Sequence, residues 1–477
     1  MFITLFFIGA AAIVATALAR GPRYAAVATL VATLLIPIWL IVEVGAVILD
    51  LRMAFAIAGI GYVLFKQKKL SYFPLATDFV VVALVGVQIT SELLSSEPTM
   101  TTFVDTAMQW LVPYTLGRLA WRSFQDGKQI LPAVVMTCAI LSAWSVVESV
   151  TRINIVNAVL GHAGSLQGQT DLRWGMKRAE GPLSHPIFFG LQMVLLFPLA
   201  LEAARQAKLG TGPNWWKWMP WVTAAGAFSS MSRGPQIGIF IVLVTTVVIM
   251  LPKWRLAILA PLVLVVGTIA AMPNFFLQTL SSWAGEKSTM TIQIDGQYVE
   301  YSGTMHRILQ MQVYSKALQH ADWFGYGSVG LRAGSTTIPH IEDHLRQMFS
   351  SIDNHYLQFA LQNGWVGIGA FLLLCFLSIY HAASAAHDPR NPLPYLSAAT
   401  AGAIVALTLI LSTVWLPSDV RFVLLAMIGM AAGMRMSRSV PTYADVPTAA
   451  SIQPVEIVTP NTPPRRLVPG FPQWRNV

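Results

Sequence analysis

The sequence has little charge and only two cysteines. Of its 477 residues, 11% are Asp, Glu, Lys or Arg, whereas soluble domains carry roughly a quarter. Hydrophobic residues make up 55%, and the mean hydropathy is +0.58. This composition excludes an ordinary soluble domain and predicts a chain that crosses a membrane many times. Cys138 and Cys375 lie in separate apolar stretches without metal-ligand spacing, so we expect packing residues and infer no redox compartment from them.

Several patterns are also missing. The sequence has no internal repeat, no alternating barrel pattern and no Cys/His or Asp-x-Asp cluster, so we expect no metal and no cofactor. "GYGSVG" at 325–330 has the spacing of a dinucleotide loop, but it joins no predicted strand to a helix. We expect a tight glycine turn there instead. The excess of nine positive charges is distributed among loops and does not indicate nucleic acid as a partner.

Long apolar stretches are what the sequence does have, each about the length needed to cross hydrocarbon. Because lipid cannot satisfy an open strand edge, we predict an all-α polytopic membrane protein with about 12–13 transmembrane helices and one large extracytoplasmic loop. The predicted spans lie at about 2–19, 24–43, 50–65, 77–94, 101–118, 128–149, 185–204, 216–233, 235–251, 254–272, 355–380, 395–415 and 420–435.

Charge alternates between successive loops. By the positive-inside rule, the basic loops lie in the cytoplasm. The alternate loops are poor in Lys, and their short members carry Glu43, Asp50, Glu92 and Glu97. The basic loops carry Arg20 and Arg23; Lys66, Lys68 and Lys69; Arg118, Arg122 and Lys128; Arg205, Lys208 and Lys217; Lys253 and Arg255; and Arg435 and Arg438.

Two long loops then lie outside the cytoplasm. In the second, "TIQIDGQYVEY" alternates around Asp295-Gly296 and predicts a hairpin, and residues 339–349 predict a short amphipathic helix. The first apolar stretch lacks a basic start, so we expect no cleavable signal peptide. The predicted organisation is N-terminal helices 1–149, an extracytoplasmic loop 150–184, helices 185–272, a large extracytoplasmic loop 273–354, C-terminal helices 355–436 and a disordered cytoplasmic tail 437–477.

Four polar residues that precede the C-terminal spans in the sequence are candidates for function. Arg233 lies at the outer junction of two apolar helices, where it either faces a cavity or a partner, or snorkels to headgroups. Arg307 lies on a predicted helix of the large loop, where a solvated surface position is the simpler alternative. Arg178 and His185 lie just before a span, with a structural role at the interface as the alternative.

A polar triplet opens the apolar run that ends near Tyr380. Asp353, Asn354 and His355 stand directly before or at the start of this run, so we place them at the membrane surface, at the mouth of a helix.

The order of these segments resembles the bacterial O-antigen polymerase and ligase superfamily. The resemblance rests on "RAEGPLSHPIFFG", "SRG", "HRILQMQVYSKALQHADWFGYGSVG" and "DNHYLQFALQNGWVG", from about Arg178 to about Leu374. It implies a GT-C-like glycosyltransferase in the bacterial inner membrane with its active site facing the periplasm. Such a protein takes a glycan from undecaprenyl diphosphate without a nucleotide sugar or a metal. The diphosphate-binding arginines of the family fall on Arg233 and Arg307, with Arg178 as a further candidate.

The triplet departs from the ligase pattern of His-Asn, nine residues, Gly, two residues and Gly. Asn354, Gly364 and Gly367 fit the pattern, but Asp353 stands at the His position. A carboxylate can still accept the proton of an acceptor hydroxyl, so the resemblance favours a Wzy-type polymerase over a ligase. His355 is either the base or a packing residue.

Other functions remain open from the sequence. They are an O-antigen ligase or related protein glycosylase, a transporter of lipid-linked sugar, and a scaffold whose outer loop recruits a partner. Charge at mid-membrane depth in several spans is expected of a transporter, and this chain has most of its charge at the helix ends. The expected partners are the undecaprenyl-diphosphate-linked glycan, membrane lipid, and a chain-length regulator or export protein.

Overall fold

The structure is a computed structural model of a helical bundle. It describes residues 19, 22–37, 39–44, 47–66, 74–95, 100–121, 124–160, 172–173, 175–257, 260, 290–294, 297–301, 303–327, 345 and 352–436. The predicted span at 2–19, most of the one at 254–272, the amphipathic helix at 339–349 and the tail 437–477 lie outside these residues.

Helices and one hairpin make up the described part of the N-terminal third. Its elements are α1 (Pro22–Leu35), β1 (Ile41–Val44), β2 (Val47–Asp50), α2 (Leu51–Lys66), α3 (Ala76–Ser95), α4 (Met100–Ala120), α5 (Phe124–Thr151) and α6 (Ile155–Leu160).

The predicted span at 24–43 is wrong at its end. The helix ends at Leu35, and β1 pairs with β2 in an antiparallel hairpin in which Ile41 faces Asp50. Pro37 has no N–H for a helical hydrogen bond, and the β-branched residues that follow favour a strand. A hydrophobic run therefore divides into a helix and a hairpin.

The middle of the chain contains β3 (Leu172–Arg173), β4 (Met176–Lys177), α7 (Pro186–Lys208), α8 (Met219–Ser229) and α9 (Arg233–Met250). Most side chains of α7 are buried, which makes it the centre of the main hydrophobic core. The predicted span at 216–233 is too long, because Asn214–Trp218 forms a 3₁₀ turn and Pro220 restricts the start of α8.

The large loop and the C-terminal bundle follow. Their elements are β5 (Met290–Ile294), β6 (Gln297–Tyr301), α10 (Gly303–Val313), α11 (Ser315–Gln319), α12 (His355–Ala386), α13 (Pro394–Ile410) and α14 (Ser418–Met436). The hairpin predicted around Asp295-Gly296 is confirmed, because β5 and β6 pair antiparallel with Ile294 opposite Gln297.

The helical architecture confirms an all-α polytopic membrane protein. Among the described residues, five helices are long and apolar enough to cross a membrane. They are Ala76–Ser95, Lys128–Thr151, Pro186–Lys208, Arg233–Met250 and His355–Ala386.

The predicted single span at 355–380 is broken. Gly364 adopts φ 64° and ψ −167° inside α12, a region that only glycine occupies without strain. The rings of His355 and Phe371 lie 5.3 Å apart, whereas a straight helix would separate these residues by about 24 Å. The first segment, 355–363, is therefore folded back against the second. The segment 365–386 alone is long enough to cross a bilayer.

Several helices share one end of the bundle, which we call the site end. α7, α9, α12 and α14 begin there, and α13 ends there. The backbone N–H of His355 donates to Leu411 O at 2.9 Å, which joins the start of α12 to the end of α13. Ser184 Oγ donates to Asp419 Oδ2 at 3.4 Å, which joins the segment before α7 to the start of α14.

Candidate functional site

The turn between α8 and α9 is strained and firmly held. Met231 has φ 48°, a left-handed conformation that costs about 1–3 kcal/mol for a residue other than glycine. The segment before α7 binds three consecutive carbonyl groups of this turn, at residues 229–231. Their donors, in order, are the Ala179 N–H at 3.0 Å, Arg178 Nε at 3.2 Å and Arg173 Nη1 at 2.9 Å.

Arg178 reaches further along the same turn. Its Nη2 donates to the hydroxyl of Ser232 at 2.8 Å, and its side chain is buried. Ser232 Oγ in turn donates to Ser230 O at 3.1 Å. The guanidinium group of Arg178 thus fixes the residue that directly precedes Arg233.

A buried ion pair anchors the segment that carries Arg178. Lys177 Nζ lies 3.0 Å from Glu148 Oε1, and Glu148 is fully buried at the end of α5. The same carboxylate accepts hydrogen bonds from Asn154 Nδ2 at 3.1 Å and from the Gly181 N–H at 3.0 Å. These contacts tie α5 to the residues on both sides of Arg178. Such a buried network fixes one conformation because breaking it would leave a charge unpaired.

Arg233 is the first residue of α9, and its side chain is exposed at the site end. Ser232, the N-cap residue, makes no side-chain hydrogen bond to the helix. The positive end of the helix dipole therefore adds to the charges of Arg233, Arg178 and Arg173, and this combination favours an anion.

The start of α12 lies against the helix that carries Arg307. The backbone N–H of Asp353 donates to Gln310 Oε1 at 3.1 Å, and Gln310 lies three residues after Arg307 in α10. The side chain of Arg307 lies outside the described residues. Asn354 caps α12, since its Oδ1 accepts from the Leu357 N–H at 3.1 Å. Both Asp353 and Asn354 are half-buried.

His355 lies inside an aromatic cluster. It is 3% exposed, and its ring centroid is 5.3 Å from those of both Phe359 and Phe371. Neither ring nitrogen has a hydrogen-bond partner in the part of the chain that the structure describes. Of the two alternatives for His355, this position favours packing.

His185 is the N-cap of α7. Its Nδ1 accepts a hydrogen bond from the Ile187 N–H at 3.2 Å, and its ring lies 5.2 Å from that of Phe188. Phe188 packs edge-on against Trp415, with ring centroids 5.4 Å apart, in the segment between α13 and α14. This placement favours the structural alternative for His185.

The glycine turn at 325–327 docks into the break of α12. Gly325 and Gly327 both have φ 71°, and the turn supplies hydrogen bonds that the broken helix lacks. Burial, and to a lesser extent the carboxylate of Asp322, raises the pKa of Tyr326, whose hydroxyl donates to Ala317 O at 2.9 Å. Three backbone hydrogen bonds connect the turn to both sides of the break. They run from Tyr326 N to Leu361 O at 2.7 Å, from Gly327 N to Gln362 O at 3.0 Å, and from Val366 N to Trp323 O at 3.2 Å.

The end of α13 connects the two polar groups. A Cβ on Gly234 would lie 3.4 Å from Ile410 Cγ2, and the next residue, Leu411, accepts from the N–H of His355. The structure therefore brings the region of Arg178 and Arg233 and the start of α12 to the same part of the site end.

Sequence reasoning missed several contributors. Arg173, Glu148 and Gln310 act through contacts with residues distant in sequence, and none stands in a pattern that marks it. The only available signal was that Glu148 is an acidic residue at the end of an apolar span, where a partner is expected.

The fold and the site together define an all-α polytopic membrane protein with an arginine-rich, anion-attracting site at one end. Residues 219–372 match the family model Wzy_C, described as O-Antigen ligase. This segment runs from the start of α8 into α12 and contains Arg233, Arg307 and Asp353. It covers roughly a third of the chain, and Arg178 and His185 precede it. No curated protein matches the chain.

The family match confirms the predicted resemblance. The match at residues 219–372 supports a function of O-antigen ligase or polymerase type.

Proposed function

We propose that the protein polymerises undecaprenyl-diphosphate-linked oligosaccharide repeat units into exopolysaccharide, capsule or O-antigen. The reaction takes place at the periplasmic side of the bacterial inner membrane and needs no metal. The observation that supports this most directly is the turn at 229–232, where buried Arg178 fixes the start of α9 beneath exposed Arg233.

The leaving group explains the need for arginines. Negative charge develops on the bridging oxygen of the lipid diphosphate as the glycosidic bond breaks. The planar guanidinium of Arg233 can bind phosphate oxygens in a bidentate manner, and Arg307 is the second residue proposed for this role. Arg178 acts mainly by orienting the turn and by adding positive charge behind it.

The acceptor side of the reaction is assigned to the start of α12. Asp353 is half-buried, and its backbone N–H is held by Gln310. The backbone position from which its carboxylate extends is therefore fixed. We assign it the role of accepting the proton of the attacking hydroxyl. Asn354 holds this segment as the helix cap. His355 packs beneath it.

An O-antigen ligase is the second candidate, because the matching family model carries that description. It would transfer the glycan from undecaprenyl diphosphate to lipid A-core. Asp353 at the position of the ligase His is the feature that favours a polymerase.

Replacing Arg233 by Lys tests the proposal. Lys keeps the charge but cannot form the bidentate contact, so glycan transfer should fall on the order of 10²-fold. Arg255→Lys is the matched control, since Arg255 is also exposed but follows the other end of α9. The measurement is the amount and length of polymer in cells that lack the native gene, with membrane levels of each variant made equal.

Three results would contradict the proposal. Normal polymer length and yield in Arg233→Lys would remove the diphosphate role. Loss of lipid A-linked glycan while polymer accumulates on its lipid carrier would favour the ligase. Failure of lipid-linked units to reach the periplasmic face would indicate a transporter.

A further inference from the structure

A polar cavity lies at the site end, away from the arginine turn. It has a volume of about 110 Å³ and lies between the end of β2, the start of α2, α4 and the start of α14. Its polar lining consists of Asp50, Asp105, Gln109, Ser418 and Arg421. Met53 and Phe422, both buried, form an apolar part of the wall.

A chain of hydrogen bonds runs along the wall of this cavity. Gln109 Nε2 donates to Asp105 Oδ2 at 2.7 Å, and Arg421 Nη1 donates to Gln109 Oε1 at 2.7 Å. Arg421 Nε is buried and has no hydrogen-bond partner among the described residues. The guanidinium carbon lies 5.6 Å from the centre of the Trp110 ring. The amide of Gln109 and the guanidinium group of Arg421 are thus fixed in orientation, and Arg421 Nε is left to donate to a ligand.

One hydrogen bond links the edge of the cavity to the segment that carries Arg178. Asp419, next to Ser418 in the cavity wall, accepts a hydrogen bond at 3.4 Å from Ser184, which belongs to the same segment as Arg178. Asp419 is 1% exposed, and its Oδ1 has no partner in the described part of the chain. The segment that carries Arg178 therefore also contacts the residue beside the cavity wall.

The chemistry of the lining selects among possible ligands. The lining carries the carboxylates of Asp50 and Asp105 and the guanidinium group of Arg421, and Asp50 Oδ2 is paired with Arg52 Nη2 at 3.1 Å. Because these residues carry no excess of positive charge, the cavity does not extend the diphosphate site. Among the described residues, no group of three or more His, Cys, Asp or Glu side chains could hold a metal ion. The lining offers carboxylate and amide acceptors, guanidinium, amide and hydroxyl donors, and a partly apolar wall. This combination fits a neutral ligand that has many hydroxyl groups.

We propose that this cavity binds a sugar residue of the glycan during transfer. The inference rests on the proposed function, because it takes the ligand from the same reaction. The hydroxyls of the sugar would donate to Asp105 and Asp50 and accept from Arg421. The apolar face of the ring would lie on Met53 and Phe422.

Titration of the full chain in lipid nanodiscs tests the proposal. One probe is the free repeat oligosaccharide, cut from the surface polysaccharide of the source cells, and the other is inorganic pyrophosphate. Asp105→Ala and Gln109→Ala should each raise the Kd for the oligosaccharide about tenfold, the effect of losing one good hydrogen bond. Neither change should weaken the binding of pyrophosphate. Asp105 is exposed, so its replacement does not threaten folding.

Gln312→Ala is the matched control, since Gln312 is exposed, lies in a helix and is outside the cavity. An unchanged oligosaccharide Kd in both cavity variants would overturn the proposal. So would a wild-type protein that binds no oligosaccharide, or cavity variants that lose pyrophosphate binding.

The same titrations separate this inference from the proposed function. Arg233→Lys should weaken the binding of pyrophosphate and leave that of the oligosaccharide unchanged. If Arg233→Lys changes neither pyrophosphate binding nor transfer while Asp105→Ala still weakens oligosaccharide binding, the proposed function fails and the sugar site remains. If Arg233→Lys weakens pyrophosphate binding and transfer while Asp105→Ala leaves oligosaccharide binding unchanged, the sugar site fails and the proposed function remains. A transfer assay with separately varied substrates then shows whether the KM of the donor or of the acceptor rises in Asp105→Ala.

Discussion

Arg178 donates from Nη2 to the hydroxyl of Ser232 at 2.8 Å, and Ser232 directly precedes Arg233 in the chain. A buried arginine thereby fixes the residue before an exposed one, 54 positions further along the chain. The position of Arg233 depends on this contact because the turn that carries it contains a strained residue, Met231.

Arg178→Lys should lower glycan transfer by about tenfold or more, even though the charge is kept. Lys cannot donate to Ser230 O and Ser232 Oγ at once in the geometry of the guanidinium group. The measurement is transfer rate against donor concentration in purified membranes. Transfer equal to wild type would show that the turn holds its shape without Arg178.

Glu148→Gln should destabilise the protein by about 3–5 kcal/mol, because Lys177 would then be a buried charge without a partner. The double variant Glu148→Gln with Lys177→Met should recover much of this loss, since it removes both charges. Thermal unfolding in detergent gives the stability, and transfer activity is measured in the same samples. Equal unfolding temperatures for the single and double variants would contradict a coupled pair.

Gly364→Ala should destabilise the protein by about 3 kcal/mol or more. Its Cβ would lie 2.1 Å from Trp323 O and 2.5 Å from Phe324 N, and the backbone conformation itself excludes other residues. Gly369→Ala on the same helix is the control, because a Cβ there meets nothing within 4 Å. A tolerated Gly364→Ala would mean that the break of α12 does not depend on close contact with the glycine turn.

Asp353→Asn should reduce transfer by about 10²–10⁴-fold with little change in stability, if the carboxylate accepts the proton of the acceptor hydroxyl. The amide has nearly the same shape, and the backbone bond from Asp353 N to Gln310 remains. Asp322→Asn, an exposed site in the large loop, is the control. The rate should be followed over pH, because loss of a general base also removes its limb of the profile.

His355→Phe should keep both activity and stability. The ring is packed among Phe359 and Phe371, where an aromatic hydrocarbon of similar shape fits without leaving buried nitrogens unpaired. A fall in transfer of about 10²-fold or more at unchanged stability would instead make His355 the base.

The sequence by itself determined the class of the protein and most of its helices. The apolar run predicted as a span at 77–94 becomes Ala76–Ser95, and that predicted at 420–435 becomes Ser418–Met436. The hairpin at Asp295-Gly296 was equally predictable. These features follow from local patterns, because the length of an apolar run and the alternation of a strand are properties of neighbouring residues.

Only the tertiary structure decided where α12 breaks and how Arg178 is used. The apolar run after His355 has the composition of one continuous span, yet residues 323–327 replace its hydrogen bonds around Gly364. In the same way, Arg178 is positioned by Ser230 and Ser232, which lie more than fifty residues away. Hydrogen bonds between distant segments depend on how the helices pack, and a single contact of this kind leaves no periodic mark on either segment.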